Sequence, residues 1–504
     1  MKILKYSLIL TSFLLFSSCD KGFDEMNVNK TAVTSIDPAF ILNQAIISSS
    51  FVTTAAIYDM GVVQQLVTPN SGFIAGANFN IDNRLRTQEP WQNYYQNVIR
   101  NTTDVIEKTS GDAERNNLLQ MARIVQAFTF MILTDEYGEI PYFEGGKGYL
   151  EQLVRPKYDA QEDIYKDLIN ELKEATAALN ASGKIESVDV MYNGDVEKWR
   201  KFGNAVLLRA GMHLTEVDPA LAQSTVQAAL SGGLMSSNAD NFVIRHDPNY
   251  LNPIGNMLNA TEANNFYLTD VFVDALKSKS DPRLQSIAVR YVGADSGPQQ
   301  TADRGVTDPE MQVGMPLGYD NNGIETVADE AGLKSFYAYS QIDRNRMVRT
   351  FAPVFLVTYG QSQLLLAEAA VRGWVSGDAA EYYRNGIEAH MFQMEEYNEN
   401  SAIAAADIEA YLDAHPLGQN QLAEIGEQYW IASFLNGPEA FANFRRTGFP
   451  QLAPNPYPGK DISGDFINRL TYPNSEISVN SDNVKAAIAR QGDDNLDTKV
   501  WWDK

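Results

Sequence analysis

Seven aromatic residues of this chain, Tyr250, Phe266, Tyr267, Tyr319, Phe336, Tyr337 and Tyr339, lie in polar, turn-rich sequence beside Asn, Asp, Gln and Arg. A second irregular stretch, Pro69–Pro90, holds Phe73, Asn78, Phe79 and Arg84. A sugar ring presents an apolar face of C–H bonds and a rim of hydroxyls. It is therefore matched by a flat aromatic platform edged with amide, carboxylate or guanidinium groups. On region and residue type the candidate ligand contacts are Phe73, Asn78, Phe79, Arg84, Tyr250, Tyr267, Tyr319, Phe336, Tyr337 and Tyr339. Each ring also has a packing reading, and more than half are expected to pack rather than bind. Residue type alone does not sort them.

Other chemistry is sparse. The four histidines, His213, His246, His390 and His415, are far apart and not at ligand spacing. The chain has no His-Glu-x-x-His, no Gly-x-Ser-x-Gly and no phosphate-binding loop. With 64 acidic residues, chance carboxylate pairs are inevitable, so no pair singles out a glycosidase. Asp320-Asn321-Asn322-Gly323 offers oxygen ligands without the alternating spacing of a calcium loop, and reads as a turn. No catalytic residue, metal site or cofactor is assigned, and His213 reads as a packed or surface side chain on a helix.

The elements that must position these residues are mostly helical. Asp37-Pro38 suits a helix start, with Asp as N-cap and Pro in the first turn. Leu118, Met121, Ala122, Val125, Phe128, Thr129 and Ile132 step by three and four, as do Ile164, Leu168, Leu172, Ala175 and Leu179. The helices come in pairs: Trp91–Lys108 with Glu114–Tyr137, Gln161–Asn180 with Val196–Leu214, Phe355–Gly373 with Ala379–Met394, and Asn420–Leu435 with Pro438–Arg446. Stacked pairs of ~34 residues describe a tetratricopeptide-like array; a non-repetitive bundle is the alternative. Strand signals are short, around Phe242–Arg245 and Ile287–Tyr291. Between about 245 and 352, with one short helical stretch at Thr269–Lys279, Gly, Pro, Asn and aromatics crowd together. That span is too long for an ordinary loop and reads as an irregular subdomain laid over the helices, where binding residues usually sit.

The first residues carry an address. Lys2 and Lys5, the apolar run Tyr6–Phe16 and Ser17-Ser18 make a secretory signal, far short of the ~20 apolar residues that cross a bilayer. Leu15-Phe16-Ser17-Ser18-Cys19 resembles a lipobox, with Phe16 where Leu is commoner, so Cys19 is the expected lipidation site. Residues 1–18 are the expected signal peptide and 19–37 a polar tether. Cys19 is the one cysteine, which rules out an intrachain disulfide. The formal charge of −24 becomes −26 once Lys2 and Lys5 are removed; such a surface repels nucleic acid and anionic headgroups.

The landmarks in order are similar to those of SusD/RagB-like outer-membrane lipoproteins. They run from the lipobox and Phe23–Asn29 through Trp91-Gln92-Asn93-Tyr94-Tyr95, Leu133–Tyr142 and Pro156–Asp159. Tyr192-Asn193-Gly194-Asp195 with Trp199, Phe202 and Arg209 follows, then Asp281-Pro282-Arg283-Leu284 and Ala367-Glu368-Ala369. Arg445–Pro450, Arg469, Tyr472-Pro473 and Glu476 close the series. The resemblance implies a mostly α fold: a right-handed array of tetratricopeptide-like helix pairs with an irregular, loop-rich ligand-binding subdomain, in a single domain over 38–504. It implies a non-enzymatic cell-surface lipoprotein that captures a nutrient, usually an oligosaccharide, as a lid over a SusC-like, TonB-dependent barrel of the outer membrane. Relatives that bind peptides supply one alternative cargo; a surface glycosidase and a passive scaffold lipoprotein are others. The family has no fixed binding motif, so the resemblance transfers no binding residue.

Overall fold

The structure, a computed structural model, describes residues 36–503. The expected signal peptide, Cys19 and the tether up to residue 35 lie outside the described residues. Helix α1 (Pro38–Ser48) opens at the proline. The expected Trp91–Lys108 helix is a longer run: Glu89–Asn93, a π-helical Tyr94–Ile99, then α2 (Arg100–Thr109). It pairs with α3 (Asn116–Tyr137), which ends at Gly138, φ 78°. Next come α4 (Gln161–Ala178), α5 (Val196–His213) and α6 (Pro219–Gly232). Packing runs from α2 to α3, α4 and α5, and α6 lies on α5. After the irregular region, α7 (Tyr359–Val371) packs on α8 (Ala379–Tyr397), and α9 (Gln421–Ala432) on α10 (Gly437–Thr447). Helix α7 also packs on α5 and α9, so the pairs stack into one array over one large core. Each pair buries an apolar stripe that its own partner cannot cover, which is why neighbours stack.

One expectation needs correction. Phe355–Thr358 is not the first turn of a helix: Val354–Val357 is a strand, and α7 begins after Thr358, whose side chain and that of Gln361 form a capping box. Four consecutive apolar residues have no period, so helix and strand read alike until a partner strand is present. That partner is Phe242–Ile244, paired antiparallel with Val354–Val357. The pair brings together the points where the chain leaves and rejoins the helical body.

Between them lies more regular structure than expected. A three-stranded antiparallel sheet joins Ala288–Tyr291 to Gly305–Val306 on one side and Ser340–Ile342 on the other. Helices occur at Pro253–Asn259, Asp270–Ser278, Arg283–Ile287 and Asn321–Glu330. The segment has its own small core, in which Met315, Leu317, Ile324, Leu333 and Tyr339 meet Val67 and Tyr267. Strands of two to four residues are too short to show a period of two in sequence.

The family landmarks build the scaffold. Trp91 stacks on Tyr158 and meets Tyr137 and Tyr472 edge-on. Asp189 gathers the amides of Met191, Tyr192 and Gly194 and the Trp199 indole N–H, at 2.7–3.1 Å. Arg283 is fully buried on Asp281. Arg446 forks its guanidinium onto the buried Glu368 carboxylate at 2.7 Å on both arms. His213 is packed, as one of its two readings had it. It lies between Asp135 (3.2 Å) and Glu439 (3.5 Å).

Candidate functional site

Three loops meet at one face of the irregular region. The first, 68–80, is tied down by Leu66–Val67, which pairs antiparallel with Tyr267–Leu268. The second leads into the helix Asn321–Glu330. Asp320 accepts from the amides of Asn322 (3.1 Å) and Gly323 (2.8 Å), so Asp320–Gly323 is a capped helix start rather than a free turn. The third, Ala453–Tyr457, comes from the far end of the chain.

Asn78 clasps the first two, and its backbone carbonyl receives the third. Its Nδ2 donates to the carbonyls of Thr68 (2.7 Å) and Tyr319 (3.1 Å), and its Oδ1 accepts from the Gly318 amide (2.8 Å). Asn455 Nδ2 donates to the Ala77 and Asn78 carbonyls at 3.2 and 2.9 Å. Gly318 has φ 82°, and a Cβ there would lie 2.7 Å from Pro456 Cγ, so the approach of the second and third loops needs a glycine. Asn321 Nδ2 donates to Asn70 Oδ1 at 2.9 Å, a further tie between the first two.

Rings stand on this frame and on the turn that follows the helix Asn321–Glu330. Tyr319 is half-buried on the small core. Phe336 and Tyr337 stack on each other with centroids 4.2 Å apart, held in a turn where Ser335 accepts from the Tyr337 amide and Glu325 from the Phe336 amide. Tyr457, also half-buried, lies edge-on to Phe79 at 4.8 Å. Phe73 is 65% exposed, with the Arg86 guanidinium 3.4 Å from its ring centroid.

Phe73, Tyr319, Phe336 and Tyr337 thus keep open ring surface, with Asn70, Asn321 and Glu325 nearby as hydrogen-bonding partners. The other sequence candidates are corrected. Asn78, Phe79, Tyr267 and Tyr339 are buried and take structural roles. Burial pushes the Tyr339 hydroxyl up to about 12, with the Asp270 and Tyr319 charges adding to it. Arg84 is spent on Asp82, Asp494 and the Tyr472 carbonyl. Tyr250 is 42% exposed but sits with Gln44 of α1 and His246, apart from the other rings. Tyr457 was missed. Its signal was Pro454-Asn455-Pro456-Tyr457-Pro458-Gly459, a proline-rich run holding a tyrosine, but its distance along the chain hid its neighbours.

Several concavities lie away from these rings. One, of about 780 Å³, lies by the N-terminus of α9 and Phe449. We place the candidate site on the ring face nonetheless, because a flat platform suits a ring-shaped ligand without enclosing it. Among the described residues no group of three or more His, Cys, Asp and Glu could hold a metal ion, and no helix is long and apolar enough to cross a membrane.

A helix-pair scaffold carrying a loop-built aromatic face defines a class of binding protein. The SusD-like_2 family profile, described as "Starch-binding associating with outer membrane", matches residues 29–473. The chain belongs to the SusD-like family. Among solved structures it is similar to a chitin-binding protein, at 32% identity and TM-score 0.82, covering 93% of this chain and 100% of that one. A Bacteroidetes SusD-like protein matches at 26% identity and TM-score 0.81 over the same shares. A chitin-binding SusD homologue from Flavobacterium johnsoniae, at 24% identity, TM-score 0.75 and 92% and 98% coverage, shares the fold. No curated protein matches the chain.

Proposed function

We propose that this chain is a non-enzymatic, cell-surface lipoprotein, anchored through Cys19, that captures an oligosaccharide and passes it to a SusC-like, TonB-dependent barrel in the outer membrane. The observation that carries the reading is the set of half-open rings, Tyr319, Phe336, Tyr337 and Tyr457, on a hydrogen-bonded frame of loops. A preorganised platform loses little entropy when a stiff sugar chain docks on it. The segment 245–352 serves as the ligand-binding cap, and the helix pairs are free to face the barrel. The likeness to a chitin-binding protein favours a β-linked, N-acetylated glycan as cargo.

The test is isothermal titration of the purified protein with a panel of neutral and N-acetylated oligosaccharides, including chitin oligomers, with products checked by mass. Binding without cleavage is expected, and Tyr319→Ala and Tyr337→Ala should each weaken it about tenfold, the worth of one aromatic contact of about 1.4 kcal/mol. Co-purification with a large β-barrel is expected from native membranes. Retention of peptides with no glycan bound would move the cargo to the peptide class, and hydrolysis products would overturn the non-enzymatic reading.

A further inference from the structure

A second concavity lies on the helical scaffold, at residues separate from the ring face. It has a volume of about 330 Å³ and opens between α2, α3, α4 and the loop after Pro141. Its wall is aromatic: Phe130 meets Tyr142 at 4.7 Å and Tyr142 meets Phe143 at 4.9 Å, and Phe143 is 47% exposed. The turn carrying these rings is pinned from beneath, since Asp159 accepts from the amides of both Tyr142 and Phe143 at 2.9 Å. The loop then lies flat on the helix. At Gly146, φ 78°, a Cβ would come within 2.5 Å of Thr103 Oγ1, so no side chain fits between loop and α2.

The rim is polar and its charges do not cancel. Arg123 lines the cavity, but its guanidinium is spent on Glu171 (2.8 Å), Glu174 (2.9 Å) and Gln120 (3.0 Å). Lys147, also on the rim, pairs with Glu151 at 3.6 Å. Asp167 accepts from the Tyr142 hydroxyl at 2.8 Å and has no ion pair, and Glu107 is exposed and has none either. Half-burial, with the neighbouring Glu171 and Glu174, makes the Asp167 carboxylate harder to ionise, against the Tyr142 hydrogen bond and the Arg123 charge. The cavity therefore joins an open aromatic face to two carboxylates, Asp167 and Glu107, that are in no ion pair, while Arg123 and Lys147 on the same rim are paired with other acids.

We infer that this cavity is a second saccharide site, one that takes a sugar ring bearing a protonated amine. The ring's C–H face would lie on Phe143 and its ammonium would face Asp167 and Glu107. An ammonium is the group that answers an uncompensated carboxylate and an aromatic wall together. A cavity of this size holds a single ring with room for its linkage. The inference takes its ligand class from the glycan reading above, but none of its residues belongs to the ring face.

Three tetramers with the same β-1,4 backbone separate the possibilities: cellotetraose (neutral), N-acetylglucosamine tetraose (neutral, acetylated) and glucosamine tetraose (cationic). Each is titrated into the intact protein and into Asp167→Asn, Phe143→Ala and the double variant Tyr319→Ala/Tyr337→Ala. The cationic tetramer should bind about tenfold more tightly than cellotetraose at low salt, and keep that binding in the ring-face double variant. Asp167→Asn, which keeps the side chain's shape, and Phe143→Ala should each weaken it about tenfold. Melting curves matching the parent exclude misfolding, and salt should weaken the cationic tetramer selectively. Three results overturn the inference: no saturable binding of the cationic tetramer, unchanged affinity in Asp167→Asn, or binding lost only in the ring-face variant. The last leaves the ring face as the glycan site, whereas loss of acetylated-tetramer binding from every form sinks the earlier reading alone.

Discussion

Replacing Asn78 with Ala tests whether the ring face is positioned by its loop frame. The amide makes three hydrogen bonds: it donates to the Thr68 carbonyl in its own loop and to the Tyr319 carbonyl of the second, and accepts from the Gly318 amide of the second. Each is worth about 1 kcal/mol net; an orphaned amide costs about 1–3 when water is excluded. Gly318 is only half-buried, so water recovers part of that, and the total is about 3 kcal/mol. The loss is local, because the Asn455 bonds to the Ala77 and Asn78 carbonyls survive the truncation. At about 1.4 kcal/mol per decade, a 3 kcal/mol loss speeds hydrogen exchange at the Gly318 amide about a hundredfold. Affinity for the glycan falls with the fraction of molecules that keep Tyr319 in place. The assay is amide exchange by mass spectrometry over 312–325, beside glycan titration. Tyr319→Ala is the contrast: it should weaken binding while Gly318 stays protected. Unchanged exchange together with unchanged affinity in Asn78→Ala would refute the clasp.

Other expectations follow from the buried charges. Burial alone would lower His213, but Asp135 and Glu439 overcome it and hold it up to about 9. Its stabilisation is therefore complete below about pH 6.5 and lost as pH rises through about 9, worth about 3 kcal/mol at most; urea midpoints of His213→Gln should be flatter across that window. Asp59 is fully buried with neither carboxylate oxygen hydrogen-bonded, and burial pushes it up to about 7 against the pull of Arg445. Its cost grows from about pH 4, where the unfolded carboxyl ionises, and is complete above about 7, so Asp59→Asn should raise the urea midpoint more at pH 8 than at pH 5; a lower midpoint at pH 8 would contradict this. Glu368→Ala strands the buried Arg446 guanidinium and should cost about 3–5 kcal/mol in denaturant. Cys19→Ser should free the protein from membranes on fractionation; if it still sediments with them, the anchor lies elsewhere.

Much of the scaffold was legible because helical periodicity is local. The steps of three and four in Leu118–Ile132 and Ile164–Leu179 mark which face is buried before any partner is known. The expected export signal and the proposed anchoring at Cys19 are equally local readings, a matter of residue order. Val354–Val357 was misread because a uniformly apolar run takes its geometry from its partner, Phe242–Ile244, more than a hundred residues upstream. The helix at Asn321–Glu330 was missed because a single capping carboxylate, Asp320, looks the same in a turn.

The ring face divides along the same line. Composition alone placed aromatics beside amides in 245–352 and 69–90, and that limited the candidates to two stretches. Which rings stay open was decided by packing across the chain. Tyr339 and Phe336, three residues apart in one stretch, end respectively buried and half-open because Tyr339 points into the small core. Tyr457 enters the face only through Asn455 and its reach back to Ala77 and Asn78. Exposure is a property of what covers a side chain, and the cover of Tyr339 reaches from Leu333 back through Met315 and Tyr267 to Val67.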